Sequence, residues 1–175
     1  MNIAEFKRLF PSVKDLYFSK IFDDKNMSFC SFMKEIKADD KKFNKLAEVL
    51  AEKIKISENK IDVLVSIPKF TDESDEPDYS KTLAQILSDK LHIPYESNML
   101  TKIKKTKKLR TIQHKERMKE IDSAFKVNLT TNLNICIVDD VLSSGATLHE
   151  AVKTFLNAGI KNISIAVMVF QDIKA

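Results

Sequence analysis

Asp139 and Asp140 end an apolar run, Ile135–Val138, and lead through Val141 and Leu142 into the small-residue stretch Ser143, Ser144, Gly145, Ala146, Thr147. Each residue type there has a physical task. A chain that turns tightly into a helix leaves backbone N–H groups without acceptors. Together with the positive end of the helix dipole, these favour an anion such as phosphate. Gly145 lets the backbone take a positive φ or come close to a ligand, and the hydroxyls of Ser143, Ser144 and Thr147 add donors. The two carboxylates repel a phosphate, so they call for a neutral or cationic partner. The adjacent hydroxyls of a ribose, with a metal ion nearby, meet that need. Acids for a sugar beside amides for a phosphate describe a sugar phosphate as the ligand of Asp139–Thr147. The bland alternative is strand-end polarity followed by helix capping. Other phosphate loops fit badly: a Walker A loop ends in Gly-Lys-Ser/Thr and a dinucleotide fingerprint carries three glycines, whereas this chain has two glycines in all.

Such a loop needs a strand below it and a helix after it. Ile135–Asp139 reads as a buried strand, and Thr147–Ala158 as an amphipathic helix with Leu148, Val152, Phe155 and Leu156 inward and Gly159 as its C′ residue. Ile61–Ile67, ended by Pro68, and Ile163–Phe170 read as two further buried strands. Asp15–Phe22 and Ala124–Val127 have strand-like composition, and Ile93–Leu100 is expected to form a strand entered through Pro94. Helical spacing marks Phe29–Ile36, Lys41–Ile54 and Ser80–Leu91, the last with Ser80 as its expected cap. The acidic stretch Thr71–Tyr79 and the segment Thr130–Asn134 read as loop and turn. Strands alternating with helices imply βαβ crossovers, and so an α/β fold with a mostly parallel sheet covered on both faces. In that fold, ligands bind beyond the carboxyl ends of the strands, where Asp139–Thr147 would lie.

On these residues the chain resembles a known family. Ile135–Thr147 is similar to the phosphoribosyl pyrophosphate motif of the type I phosphoribosyltransferases, an apolar strand, two acids and a Thr/Ser-Gly-x-Thr turn. Lys102–Phe125 resembles the segment preceding that motif in the competence protein F-like (ComF/GntX) branch. Lys102, Thr106, Arg117, Ala124 and Phe125 fall at matching spacings, with Leu109 in place of a Gln and Glu120 in place of an Asn. The likeness runs from about Ile36 to Phe170 and is weaker before Lys102. It implies a mostly parallel sheet flanked by helices with a small hood, and a single domain over residues 1–175. The hood or flanking elements would come from 1–40 and parts of 100–125. The resemblance also implies that phosphoribosyl pyrophosphate is bound, with Asp139 and Asp140 on the ribose hydroxyls and Ser143 to Thr147 on the 5-phosphate. Mg²⁺ would be carried by the substrate near the two acids, and phosphoribose would pass to a nitrogen acceptor with release of pyrophosphate. Three departures stand out. The N-terminal zinc ribbon of many branch members is missing. Asp75–Tyr79 stands where an Arg-Gly-Phe-Asn segment is expected. Ser143 replaces the acid that purine-salvage members carry, which argues against hypoxanthine or guanine as acceptor.

The densest charge cluster is Lys102, Lys104, Lys105, Lys107, Lys108, Arg110, Lys115, Arg117 and Lys119. It could be a hood that neutralises a leaving pyrophosphate, a contact for a nucleic-acid backbone, or a solvated face interspersed with Glu116 and Glu120. No aromatic residue lies within it, which counts against a stacking platform for single strands. Lys69, after the strand at Ile61–Ile67, is a candidate pyrophosphate ligand or an ordinary surface lysine. With Lys102 and Arg117 it completes the set of cations that would draw on the pyrophosphate. His149 either lines the site or is an exposed helical histidine. Cys136 reads as a buried, inert thiol, and the two cysteines exclude a disulfide framework or zinc knuckle.

A net charge of +4 and 43% hydrophobic residues are ordinary for a globular domain and demand no nucleic-acid partner. Met1–Phe10 has no long apolar core, so it does not read as a signal peptide. With no bilayer-length apolar run, a cytoplasmic protein is expected, and a homodimer is common in the resembled family. A reading from a different class keeps the fold without the reaction: a nucleotide- or nucleic-acid-binding accessory factor in DNA uptake or utilisation, which the acidic Asp75–Tyr79 favours.

Overall fold

Ile135–Val138 and Ile165–Phe170 have no polar interruption, which suits strands covered on both faces. In the computed structural model, which describes residues 2–23, 27–69, 77–107, 109–129 and 132–171, they lie at the centre of a four-stranded parallel sheet. Its central strands are β5 (Ile135–Leu142) and β6 (Ile163–Gln171), with Ile135 opposite Ile163 and Leu142 opposite Phe170. Outside β6 runs β1 (Val13–Phe22), and outside β5 runs β2 (Val63–Ser66), giving the order β1-β6-β5-β2. Asp62 fixes the entry to β2 and β5 by accepting from the amide (3.0 Å) and side chain (2.7 Å) of Asn134. Lys60 and these bonds hold its carboxyl down at about 2.

Apolar stripes at helical spacing cover the two faces. On one face, α3 (Asp40–Lys55) and α4 (Tyr79–Leu91) pack Phe43, Leu50, Leu83 and Leu87 against Cys136, Val138, Ala166 and Met168. α2 (Phe29–Ala38) adds Met33 and Ile36 at its edge. On the other face, α6 (Ala146–Asn157) buries Leu148 and Phe155 against Ile135, Ile137, Ile163 and Ile165. The short α1 (Ile3–Leu9) brings Phe6, stacked at 4.6 Å on Phe10, to the same side. Burying stripes of this kind contributes about 1.5–3 kcal/mol for each large side chain.

A second, two-stranded antiparallel sheet joins β3 (Leu100–Lys102) to β4 (Phe125–Val127). Between them the basic segment forms a 3₁₀ turn (Leu109–Thr111) and α5 (His114–Ile121). This is the small hood expected from the sequence. Ala124 and Phe125 plug it into the core beside Leu100 and Ile121. The basic segment is tied to itself. Lys104 Nζ donates to the carbonyls of Glu120 (3.0 Å) and Asp122 (3.3 Å), and Glu120 accepts from the Lys107 amide (2.8 Å). The side chains of Lys108, Arg110, His114 and Lys115 lie outside the described residues.

Several expectations need correction. Ile93–Leu100 is not a strand: Tyr95 makes one isolated bridge to Leu64, and regular pairing begins at Leu100. Pro94 supplies a carbonyl to Leu64 N (2.8 Å) but has no N–H with which to continue a ladder. The cap of α4 is Asp78, which accepts from Lys81 N (3.0 Å), and Ser80 lies inside the helix. β5 runs three residues beyond Asp139. Of the acidic loop, residues 71–76 lie outside the described set, as do 130 and 131 of the Thr130–Asn134 turn. The strand expected at Asp15–Phe22 is the edge strand of the main sheet.

Candidate functional site

β5 does not end at its acids. Val141 pairs with Val169 and Leu142 with Phe170, so Asp139 and Asp140 sit within the last part of the strand. Leu142 is buried in the core and offers the site only its backbone. The turn proper is Ser143, Ser144 and Gly145, and Thr147 already belongs to α6. Gly145 takes φ +77°, the left-handed region in which a side chain is strained. It is the N-cap residue of α6, with no side-chain cap of its own. The first amide paired inside the helix is that of His149, to Gly145 O (2.8 Å). Of the amides ahead of it, that of Ala146 donates only a long bond to Ser144 Oγ (3.5 Å). Ser143, Ser144 and Thr147 are partly exposed, whereas Gly145, Ala146 and Leu148 are buried. Amides without intrahelical partners after a left-handed glycine at a helix start are what an anion requires.

The acid pair has two different environments. Asp139 is 9% exposed; its Oδ1 accepts from Ser80 Oγ (2.7 Å) and from the Asp140 amide (2.9 Å). Burial first, and then the Asp140 charge, push its carboxyl well above the usual carboxylate range. Asp140 is paired with Lys37, from the last turn of α2. Neither partner was singled out from the sequence. Ser80 looked like a helix cap, and Lys37 is one lysine among many.

The remaining candidates stand on other elements. Ile67 N donates to Val138 O (2.9 Å), so Pro68 and Lys69 leave the sheet at the level of Asp139. Lys69 Nζ donates to Pro77 O (2.6 Å), which holds it to the chain just before α4. Lys102 is on β3, paired with Phe125, and Arg117 on α5 donates from Nε to Ile112 O (3.1 Å). Asp139, Asp140 and the turn are thus one contiguous unit, with Lys69 on the adjoining strand end and Lys102 and Arg117 in the hood. His149 is turned away from the turn. Its ring lies 6.0 Å from that of Phe10, and its buried Nδ1 has no hydrogen-bond partner. It lines a cleft of about 390 Å³ between α6 and the Arg8–Ser12 segment.

Among the described residues no group of three or more acidic, His or Cys side chains could cage a metal. Two carboxylates fit Mg²⁺ only as it commonly binds, with one or two acids completed by water and the substrate's own phosphate oxygens. No helix among the described residues is long and apolar enough to cross a membrane.

Residues 33–175 match a family model described as the phosphoribosyl transferase domain. Competence protein F of Haemophilus influenzae is 31% identical over 87 residues, which span 47% of this chain and 38% of that protein. Among solved structures, adenine phosphoribosyltransferase from Leishmania donovani superposes with a TM-score of 0.48 at 10% identity, over 94% of this chain and 79% of that one. A hypothetical protein from Neisseria gonorrhoeae with bound ppGpp gives 0.47 at 18% identity, over 78% and 70%.

Proposed function

This chain belongs to the phosphoribosyl transferase domain family, and from that premise we propose that it binds phosphoribosyl pyrophosphate and transfers its phosphoribose to a nitrogen acceptor. The observation that carries this reading is the turn from Ser143 to Gly145 at the start of α6. Left-handed Gly145 starts α6 with its leading amides unpaired within helix hydrogen bonding, directly after a carboxylate pair. The 5-phosphate sits on those amides with the hydroxyls of Ser143, Ser144 and Thr147, and the ribose hydroxyls take the acid pair.

In the reaction the acceptor nitrogen forms a bond to the anomeric carbon. The bond from that carbon to pyrophosphate breaks, the leaving group takes the electron pair, and the acceptor releases a proton. Mg²⁺, carried by the substrate near Asp139 and Asp140, would offset charge on the leaving group. The chain's own part is to hold the sugar in place and present cations toward the leaving side, with Lys69, Lys102 and Arg117 in that role. Burial pushes the Asp139 carboxyl up, and the bond from Ser80 orients it toward the ribose hydroxyls.

The test is calorimetry with phosphoribosyl pyrophosphate and Mg²⁺ on the wild type and on the double variant Asp139→Asn/Asp140→Asn, joined to an assay of pyrophosphate release across amines and bases. The reading expects binding that the double variant weakens by about tenfold or more, and release with at least one acceptor. Failure of the wild type to bind removes it.

A second reading has its own support. The curated relative is a competence protein, and the chain spans under half of its length. The Arg-Gly-Phe-Asn segment is absent. On this reading the same site binds a ribose 5-phosphate ligand without turnover, in an accessory factor of DNA uptake or utilisation. Binding without pyrophosphate release from any acceptor would favour it.

A further inference from the structure

Lys37 closes the last turn of α2 but does not extend freely into solvent. Its ammonium pairs with Asp140 and lies 4.5 Å from the centroid of the Tyr79 ring, the side chains of Lys37 and Asp140 being 28% and 17% exposed. Tyr79 opens α4, and its hydroxyl donates to Lys37 O (3.3 Å); the next residue, Ser80, holds Asp139. Two helices distant in sequence thus deliver an ammonium, a ring and a hydroxyl to the acid pair. A cation over an aromatic face and against a carboxylate is doubly held.

This ion pair matters for any ligand that uses Asp140. Ribose hydroxyls take that carboxylate only by displacing the ammonium, and an ammonium displaced into a half-buried cleft needs another anion. A sugar phosphate held by its 5-phosphate at the turn offers none on the acid side. One that also carries pyrophosphate on its anomeric carbon offers it next to the hydroxyls that displace Lys37. We propose that Lys37 is a specificity-determining residue, exchanging Asp140 for the pyrophosphate of the ligand and so favouring phosphoribosyl pyrophosphate over ribose 5-phosphate. This rests on the sugar-phosphate reading of the turn given above. Tyr79 keeps the ammonium close during the exchange, since a cation can slide over the ring face without full rehydration.

The experiment titrates the wild type, Lys37→Met and Lys37→Arg with inorganic phosphate, ribose 5-phosphate and phosphoribosyl pyrophosphate at one Mg²⁺ concentration, with thermal melts as the folding control. Lys37→Met is expected to weaken phosphoribosyl pyrophosphate about tenfold or more, the size of one lost charge-assisted bond. It should leave inorganic phosphate unchanged and ribose 5-phosphate unchanged or tighter, because the competitor for Asp140 is gone. Lys37→Arg should recover most of the loss. Equal weakening of both sugar phosphates, or no change in either, overturns the proposal while leaving the turn's role intact. If the wild type binds no sugar phosphate at all, the parent reading fails and this one falls with it.

Discussion

Burial, and after it the charge of Asp140, hold the Asp139 carboxyl well above the usual carboxylate range, so the folded protein keeps a proton that the unfolded chain releases. Between the ordinary carboxylate pKa and the raised one, the folded state binds more protons, and stability falls as pH rises through that window. The contribution is complete below the window and lost above it. Asp139→Asn still accepts from Ser80 and from the Asp140 amide but cannot ionise. Denaturant melts of the two proteins should therefore differ least at acid pH, and the variant should gain relative stability as pH rises through that window. A difference that stays constant with pH would show that Asp139 is not a strained, buried acid. The variant should lose affinity for ribose 5-phosphate, as groups kept for binding often cost stability. Asp139, Asp140 and Ser143–Thr147 were legible as a unit because their chemistry is local: strand, acids, turn and helix follow one another in the chain. Ser80 and Lys37 were not legible. Ser80 reaches Asp139 across 59 positions, and no periodicity or spacing rule marks such a contact.

At the scale of elements, the two glycines make a natural pair. Gly145 at φ +77° and Gly159 at φ +85° start and follow α6, and nothing lies within 4 Å of a Cβ added at Gly159. Alanine at Gly159 should cost the left-handed strain alone, about 1–2 kcal/mol, without affecting ligand binding. Alanine at Gly145 should cost at least as much and also weaken inorganic phosphate, as urea melts and calorimetry on both variants would show. Loss of binding in both, or in neither, would separate the turn from the ligand. The junction of hood and sheet makes a second case. Buried Glu150 on α6 accepts from the Ser123 amide (2.8 Å) and pairs with Lys153, which also reaches Asp122 (2.7 Å). Ser123 itself stands at φ +56°. Glu150→Ala orphans that amide and should destabilise the protein by about 1–3 kcal/mol, measured by denaturant melts; a loss under a few tenths would contradict the bonding described. Buried strands and helices with one apolar stripe were readable because burial imposes their pattern. The ends were less so: polar residues at Asp139 and Asp140 looked like termination, yet backbone pairing with β6 continues regardless of side chain. α1 was missed because a helix of seven residues, capped by Asn2, carries too few turns for a stripe.

For the molecule as a whole, burial distinguishes the two thiols. Cys136 is fully buried between sheet and helices, which pushes its thiol up and away from reactivity, whereas Cys30 on α2 is exposed. A thiol reagent should therefore modify one cysteine in the native protein and both after denaturation; rapid modification of both would mean that the face covered by α3 and α4 opens readily. That same face carries Lys37, Tyr79 and Ser80 to the carboxyl end of β5, while the opposite face carries α6, so the site lies where the two layers meet over the sheet. The most direct test of the central claim is an amide ¹H–¹⁵N titration of the labelled protein with ribose 5-phosphate. The largest shifts are expected at Gly145, Ala146, Thr147 and Leu148, with smaller ones at Asp139, Asp140 and Ser80. Saturable binding with those amides unmoved, and the shifts gathered elsewhere, would contradict it.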